Sequence, residues 1–191
     1  MHVYGDSDMA LCYFDIETTG LDTIKDQIIT IQSQKLDMLK GYAAGPLKIL
    51  KVWDDNQSEK SIVSQLAPLL LDSDPFRFIP VGNNLVFDFK FLAAKFKEHL
   101  SLDVDTLYFL NRPHLDLKPV LILINGGSFK GYHHLLGKSE GGKMIPQWYS
   151  QKEYEKILHY IRTEADSFTK MVERLQQLLP NLFSRRLDEF V

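Results

Sequence analysis

Residues Phe14-Asp15-Ile16-Glu17-Thr18-Thr19-Gly20 place two acids two positions apart inside an apolar run. Tyr13, Phe14 and Ile16 favour extended backbone, which predicts a buried strand from about Ala10 to Glu17, with Thr18-Thr19-Gly20 turning the chain. Side chains alternate across a strand, so Asp15 and Glu17 point to one face while Phe14 and Ile16 point to the other. Two like charges close together in a half-buried setting are costly unless a cation answers them. No Lys or Arg is near in sequence. Carboxylate oxygens are the ligands that hard divalent cations prefer. An isolated Asp-x-Glu is more often a pair of solvated acids at a strand end. The rest of the chain turns the reading toward metal.

The length of 191 residues and a 45% hydrophobic content suit one domain over residues 1–191 with a substantial core. A net charge of −3 argues against a polybasic binder but is compatible with a nucleic-acid enzyme built on an acidic site. The single cysteine, Cys12, rules out a disulfide within the chain and reads as a buried thiol. Neither a signal peptide nor an apolar run of membrane-spanning length is visible, so a cytoplasmic protein without a membrane partner is expected. The sequence allows a homo-oligomer without specifying one.

Three strands come first: Ala10–Glu17, Asp26–Asp37, where Ile29 and Ile31 alternate with Thr30 and Gln32, and Leu47–Trp53. Their short links predict an antiparallel meander. Asp54-Asp55-Asn56 offers N-caps for a helix to Leu71 with Ile62, Leu66, Leu69 and Leu70 as its stripe, and Pro68 should kink or split it. Phe76–Val81 reads as a strand, Leu85–Leu100 as a helix with Asp88 in its first turn, and His114–Lys118 as a strand end. Pro119 can open a helix over Leu117–Ile124 that Asn125-Gly126-Gly127 ends, and Ser128 can cap another that ends at Gly137. Ser139–Pro146 reads as a surface loop. Ser150-Gln151-Lys152-Glu153 has the form of a capping box for a helix that ends before Pro180. A meander followed by strand, helix and strand predicts a mixed α/β sheet flanked by helices.

Acids in site-like surroundings recur at Asp88, within Asn84-Leu85-Val86-Phe87-Asp88, and at Glu164 and Asp166. Phosphodiester hydrolysis by two metal ions needs several carboxylates gathered from separate elements. The first stretch resembles the first motif of the DEDD-type 3′–5′ exonucleases, which have an RNase H-like fold with three antiparallel strands plus parallel ones. Asn84 through Phe87-Asp88 to Phe91-Leu92 is similar to their second motif. Tyr160-Ile161-Arg162-Thr163-Glu164 has the spacing of the third, with Glu where the family has Asp. The length and His114-x-Asp116-Leu117-Lys118 look most like stand-alone relatives of the family B polymerase proofreading domain.

The resemblance implies two ions, Mg²⁺ or Mn²⁺. Asp15 would bridge them, Glu17 and Glu164 would serve the nucleophile side, and Asp88 would hold the other ion. A Tyr or His beside the late acid would orient and help deprotonate the attacking water. Inside a helix, Tyr160 and Glu164 are i and i+4 on one face, while His159 is rotated away. His159 stays open if the helix starts later. Asp166 is the fallback ligand, about 200° round from Glu164.

Thr18, Thr19, Gly20 and Leu21 follow the acids and are expected to touch a 3′-terminal nucleotide, with Asn84 and Phe87 lining the same groove. Lys90, Arg112, Lys118, Lys130, Lys138 and Lys143 are candidate phosphate contacts. His114, His133 and His134 fit no ligand spacing. The function expected is a 3′–5′ exonuclease on single-stranded DNA or RNA that releases nucleoside monophosphates. Two alternatives remain: a non-catalytic nucleic-acid-binding module whose third motif has eroded, and an RNase H-like endonuclease.

Overall fold

The first strand, β1, runs Leu11–Thr18 in the computed structural model, which describes residues 11–37, 42–124, 126–128 and 142–187. It pairs antiparallel with β2 (Ile28–Asp37), setting Asp15 opposite Gln32 and Glu17 opposite Thr30. Along its other edge β2 pairs antiparallel with β3 (Tyr42–Ala43) and β4 (Lys48–Lys51). On the far side of β1 the pairing turns parallel, through β5 (Ile79–Gly82) to β6 (Leu115–Asp116). The path through the sheet is β3-β2-β1-β5-β6, with β4 also on β2. This is the mixed α/β sheet expected, an antiparallel meander extended by parallel strands.

Helices cover both faces. Phe14, Ile16 and Ile31 point down onto α1 (Glu59–Leu70) and α2 (Leu85–Leu100), where Ile62, Leu66, Phe89, Phe91 and Phe96 complete the largest buried cluster. A short α3 (Thr106–Leu110), capped by the Asp105 carboxylate, adds Phe109. On the opposite face Tyr13 and Val81 pack with Leu117 and Leu121 of α4 (Leu117–Ile124) and with Phe168 and Val172 of the last helix, α6 (Tyr154–Leu187). Between them, α5 (Ile145–Ser150) adds Ile145 and Trp148 against Ile29, Ile157 and Ile161. Among the described residues no helix is long and apolar enough to cross a membrane.

Several boundaries differ from the sequence expectation. Residues 54–57 form a turn in which Gln57 N–H donates to Asp54 O, so the cap of α1 is Ser58, whose hydroxyl accepts from Ser61 N–H. Pro68 sits in the last turn of α1 without splitting it, and Leu69 is exposed while Val63 and Ala67 join the stripe. The Asp74 carboxylate turns the chain at Phe76, so β5 begins only at Ile79. Residues 142–146 are not a surface loop: a 3-10 turn at Gly142–Met144 leads into α5, anchored by the fully buried Ile145. Ser150 closes α5 by donating to Gln147 O instead of capping the next helix, and α6 starts at Tyr154 from the Glu153 carbonyl. α6 also continues through Pro180 to Leu187, past the expected end. The helix expected after Ser128, together with Lys130, His133, His134 and Lys138, lies outside the described residues.

An ionic knot holds the start of β2, opposite the site strand. Glu59 accepts from Ile28 N–H through Oε1 at 2.6 Å and meets His99 Nε2 through Oε2 at 2.8 Å. The ammonium of Lys95, almost wholly buried, lies 2.8 Å from Glu98 and 3.8 Å from Glu59. Glu59, Glu98 and His99 therefore cluster like metal ligands, but Lys95 already supplies their cation. Removing one partner of a buried ion pair costs about 3–5 kcal/mol. Glu59→Ala is expected to lower unfolding stability by about 3 kcal/mol in urea denaturation. Burial pushes the Cys12 thiol up to about 11, so the native protein should give almost no thiol titre at pH 8, and the unfolded protein one equivalent.

Candidate active site

The acidic site forms where the parallel ladder stops. β5 pairs with β1 only as far as Tyr13, and β1 runs on past it. Beyond that point the Ile16 N–H donates to Asp88 Oδ1, 3.1 Å away in the first turn of α2. A helix thus takes over an edge donor that a strand no longer satisfies, and so brings its first-turn acid beside Asp15 and Glu17. On the other edge of β1 the register slips between Glu17 and Thr18, a bulge that bends the strand end.

Asp15, Glu17 and Glu164 come together from β1 and α6. Each offers one carboxylate oxygen, and these oxygens all lie within 4.8 Å of one another. All three residues are half-buried. The extra methylene of Glu164 does not take its carboxylate out of the cluster. Tyr160, one turn earlier on α6, donates its hydroxyl to Glu164. Burial, with Glu164, Glu17 and Asp15 nearby, raises its phenol well above the ordinary value, so it is a donor at neutral pH. His159 is exposed, and Asp166 lines a separate cavity of about 460 Å³ against β4 with Lys51 and Arg162. The helical period therefore separates His159 and Asp166 from the site although α6 starts later than Ser150.

Asp88 stands beside this trio. It is 3% exposed. Desolvation raises its carboxyl well above the usual range, and the nearby charges of Asp116 and Glu164 add to the shift. Asp116 is a fifth acid that the residue-type argument passed over. Its Oδ1 accepts from Asn84 N–H at 2.8 Å and from Lys118 N–H at 2.9 Å, while Lys118 Nζ donates to Asn84 Oδ1. Asn84 occupies the left-handed region at φ 69°. This three-residue clamp fixes the sharp entry to α2 and hence the height of Asp88. Asn84 is thus tied into the frame, and Phe87 is half-buried against Phe91.

The loop after the acids is rigidly braced. Thr18 Oγ1 donates to Gly20 O, Thr19 Oγ1 to Asp26 Oδ1, and Asp26 Oδ2 accepts from Asp22 N–H. A Cβ at Gly20 would run into the Asp26 carboxylate, so the turn needs glycine there. The brace presents two large apolar side chains to solvent, Leu21 at 84% and Ile24 at 83% exposure. The opposite wall begins at Gly142, where a Cβ would stand 3.5 Å from the Tyr160 hydroxyl and 3.8 Å from Glu17 Oε2. Its neighbour Lys143 is exposed, as is Lys90. Arg112 is instead tied to Asp72 O and the Tyr108 ring, and His114 Nδ1 sits on Arg112 O.

An all-oxygen set of convergent carboxylates fits a hard divalent cation and not a soft one. Sequence and fold comparisons place the chain among known proteins. The model of the RNase H superfamily matches residues 12–176. Among solved structures, the zinc-bound E. coli ExoI–ssDNA complex aligns with TM-score 0.63 at 12% identity over 94% of this chain and 43% of that one. Exonuclease I with the inhibitor BCBP gives 0.61 at 11% identity over 94% and 44%. The metal-free E. coli ExoI–ssDNA complex gives 0.59 at 13% over 93% and 41%. The chain spans less than half the length of these exonucleases. No curated protein matches it significantly.

Crowded carboxylates destabilise the metal-free protein, so neutralising one is expected to help. Asp15→Asn should raise the metal-free melting temperature by roughly 2–4 °C, the shift that about 1 kcal/mol produces in a domain of this size. It should also abolish the extra stabilisation given by Mn²⁺. Thermal melts with Mn²⁺ and with EDTA read both effects.

Proposed function

We propose that this chain, which belongs to the RNase H superfamily, is a metal-dependent 3′–5′ exonuclease acting on single-stranded DNA or RNA. Superfamily and fold support a nuclease. The observation behind the finer reading is the convergence of Asp15, Glu17 and Glu164 within 4.8 Å, with Asp88 and Tyr160 beside them. Asp15, Glu17 and Glu164 would hold divalent ions, Mg²⁺ or Mn²⁺, and Asp88 would complete a second position. Such ions supply Lewis acidity, which eases deprotonation of water and offsets charge at the phosphate.

The chain's own residues do the rest. Tyr160 donates a hydrogen bond to Glu164 and so fixes that carboxylate, and it would help to orient the attacking water. The braced loop offers the backbone of Thr18, Thr19 and Gly20 and the apolar Leu21 to the terminal nucleotide. Unpaired bases bind by stacking and apolar contact, with no sequence reading required. Lys143, exposed next to Gly142 at the site wall, would meet a phosphate. The E. coli ExoI structure holds single-stranded DNA, which supports a single strand as the ligand here. Products would be nucleoside monophosphates released from the 3′ end.

With a 5′-labelled single strand and Mn²⁺ or Mg²⁺, stepwise shortening is expected, and EDTA should stop it. Asp15→Ala should reduce the rate by more than about 100-fold, beyond what an outer-shell change produces, while the fold is kept. Glu164→Asp should also lose activity, because the carboxylate would be drawn back from the cluster. A gain on Glu164→Asp would instead mark a binding module with an eroded site. Cutting of a circular strand would replace the exonuclease reading with an endonuclease.

A further inference from the structure

Two polar side chains sit in the dry middle of β2. Thr30 and Gln32 are both 0% exposed. The register places Thr30 opposite Glu17 and Gln32 opposite Asp15, so both share the face of the acids. Gln32 Nε2 donates to Asp15 Oδ2 at 3.1 Å. A carboxylate can only accept, so the amide's NH₂ end must be the one turned to Asp15 and its carbonyl end points away. That carbonyl oxygen, Gln32 Oε1, is buried with no hydrogen-bond partner among the described residues, and so is the Thr30 hydroxyl.

Buried polar atoms are nearly always paired. An aliphatic side chain at position 32 would pack beside Ile49, its neighbour on β4, without burying an amide. The side chain therefore breaks a packing rule at the point where it touches a proposed metal ligand, which is where such departures have functional meaning. Its chemistry suits that place. A neutral N–H donor orients a carboxylate and leaves its charge for a cation. Lys or Arg would compete with the cation, and an acid would add repulsion.

We infer that Gln32 is a positioning residue for the metal site, holding the Asp15 carboxylate in the orientation in which it converges with Glu17 and Glu164. The inference rests on the nuclease reading. Gln32→Met keeps the side-chain length and deletes the amide. Titration of Mn²⁺ against the protein without nucleic acid, followed by electron paramagnetic resonance, should show a dissociation constant raised about 10-fold or more. kcat on a single strand should fall by a similar factor with KM unchanged, and the metal-free melting temperature should stay level or rise. If Gln32→Met does not fold, Gln32→Leu also removes the amide donor without adding a charge and should show the same weakening.

Wild-type Mn²⁺ affinity and kcat in a folded Gln32 variant would overturn the inference, as would a loss of activity fully accounted for by a lower melting temperature. If the wild-type protein binds and cleaves normally, that outcome removes this role alone. If the wild-type protein neither binds Mn²⁺ nor cleaves, the nuclease reading falls with it.

Discussion

Mutual repulsion among carboxylates is the constraint on which the site end of this molecule turns. Two unit charges 4 Å apart near a protein surface repel by roughly 4 kcal/mol. The fold nevertheless brings Asp15, Glu17 and Glu164 within 4.8 Å of one another and buries Asp88 beside them. Nothing in packing rewards such a cluster. It is tolerated because stiff elements hold each acid: β1 in the centre of the sheet, α2 docked on the strand edge, and α6 crossing the opposite face.

Each of those placements has a local cause. β5 stops pairing at Tyr13, which leaves the Ile16 N–H for Asp88. The strained entry to α2 at Asn84 is held by Asp116 and Lys118. The ring of Tyr13 lies 4.7 Å from that of Phe168, which fixes α6 over the sheet and sets Glu164 one turn above that contact. The Glu59–Lys95–His99 knot secures the beginning of β2, and β2 presents Gln32 to Asp15. Stability is thus concentrated around an acidic end that weakens it.

The sequence disclosed the parts of this arrangement that depend on local periodicity. The alternation around Asp15 and Glu17 announced their shared face. The i to i+4 spacing of Tyr160 and Glu164 favoured that pair, while His159 stayed open and Asp166 stayed the fallback until the helix start was known. What it hid depends on distant partners. Gln32 looked like an ordinary polar position on an alternating strand, because its meaning lies in the cross-strand register with a residue 17 positions away. Asp116 read as part of a strand end because its partners are backbone donors at Asn84 and Lys118. Residues 142–146 looked like a loop because Gly and Lys dominate their start. Pro146 at the head of α5 and the three-residue spacing of Ile145 and Trp148 were the available signals. Ser150 offered a convincing capping box, but tertiary packing gave it to the end of α5 instead.

The proposed function stands on these carboxylates forming one metal-binding centre. Crystals soaked in Mn²⁺, with data collected at the manganese absorption edge, test it most directly. Anomalous density is expected within Asp15, Glu17 and Glu164, with Asp88 adjoining it. Anomalous density confined to the Glu59–Glu98–His99 cluster, or density remote from Asp15, would contradict it.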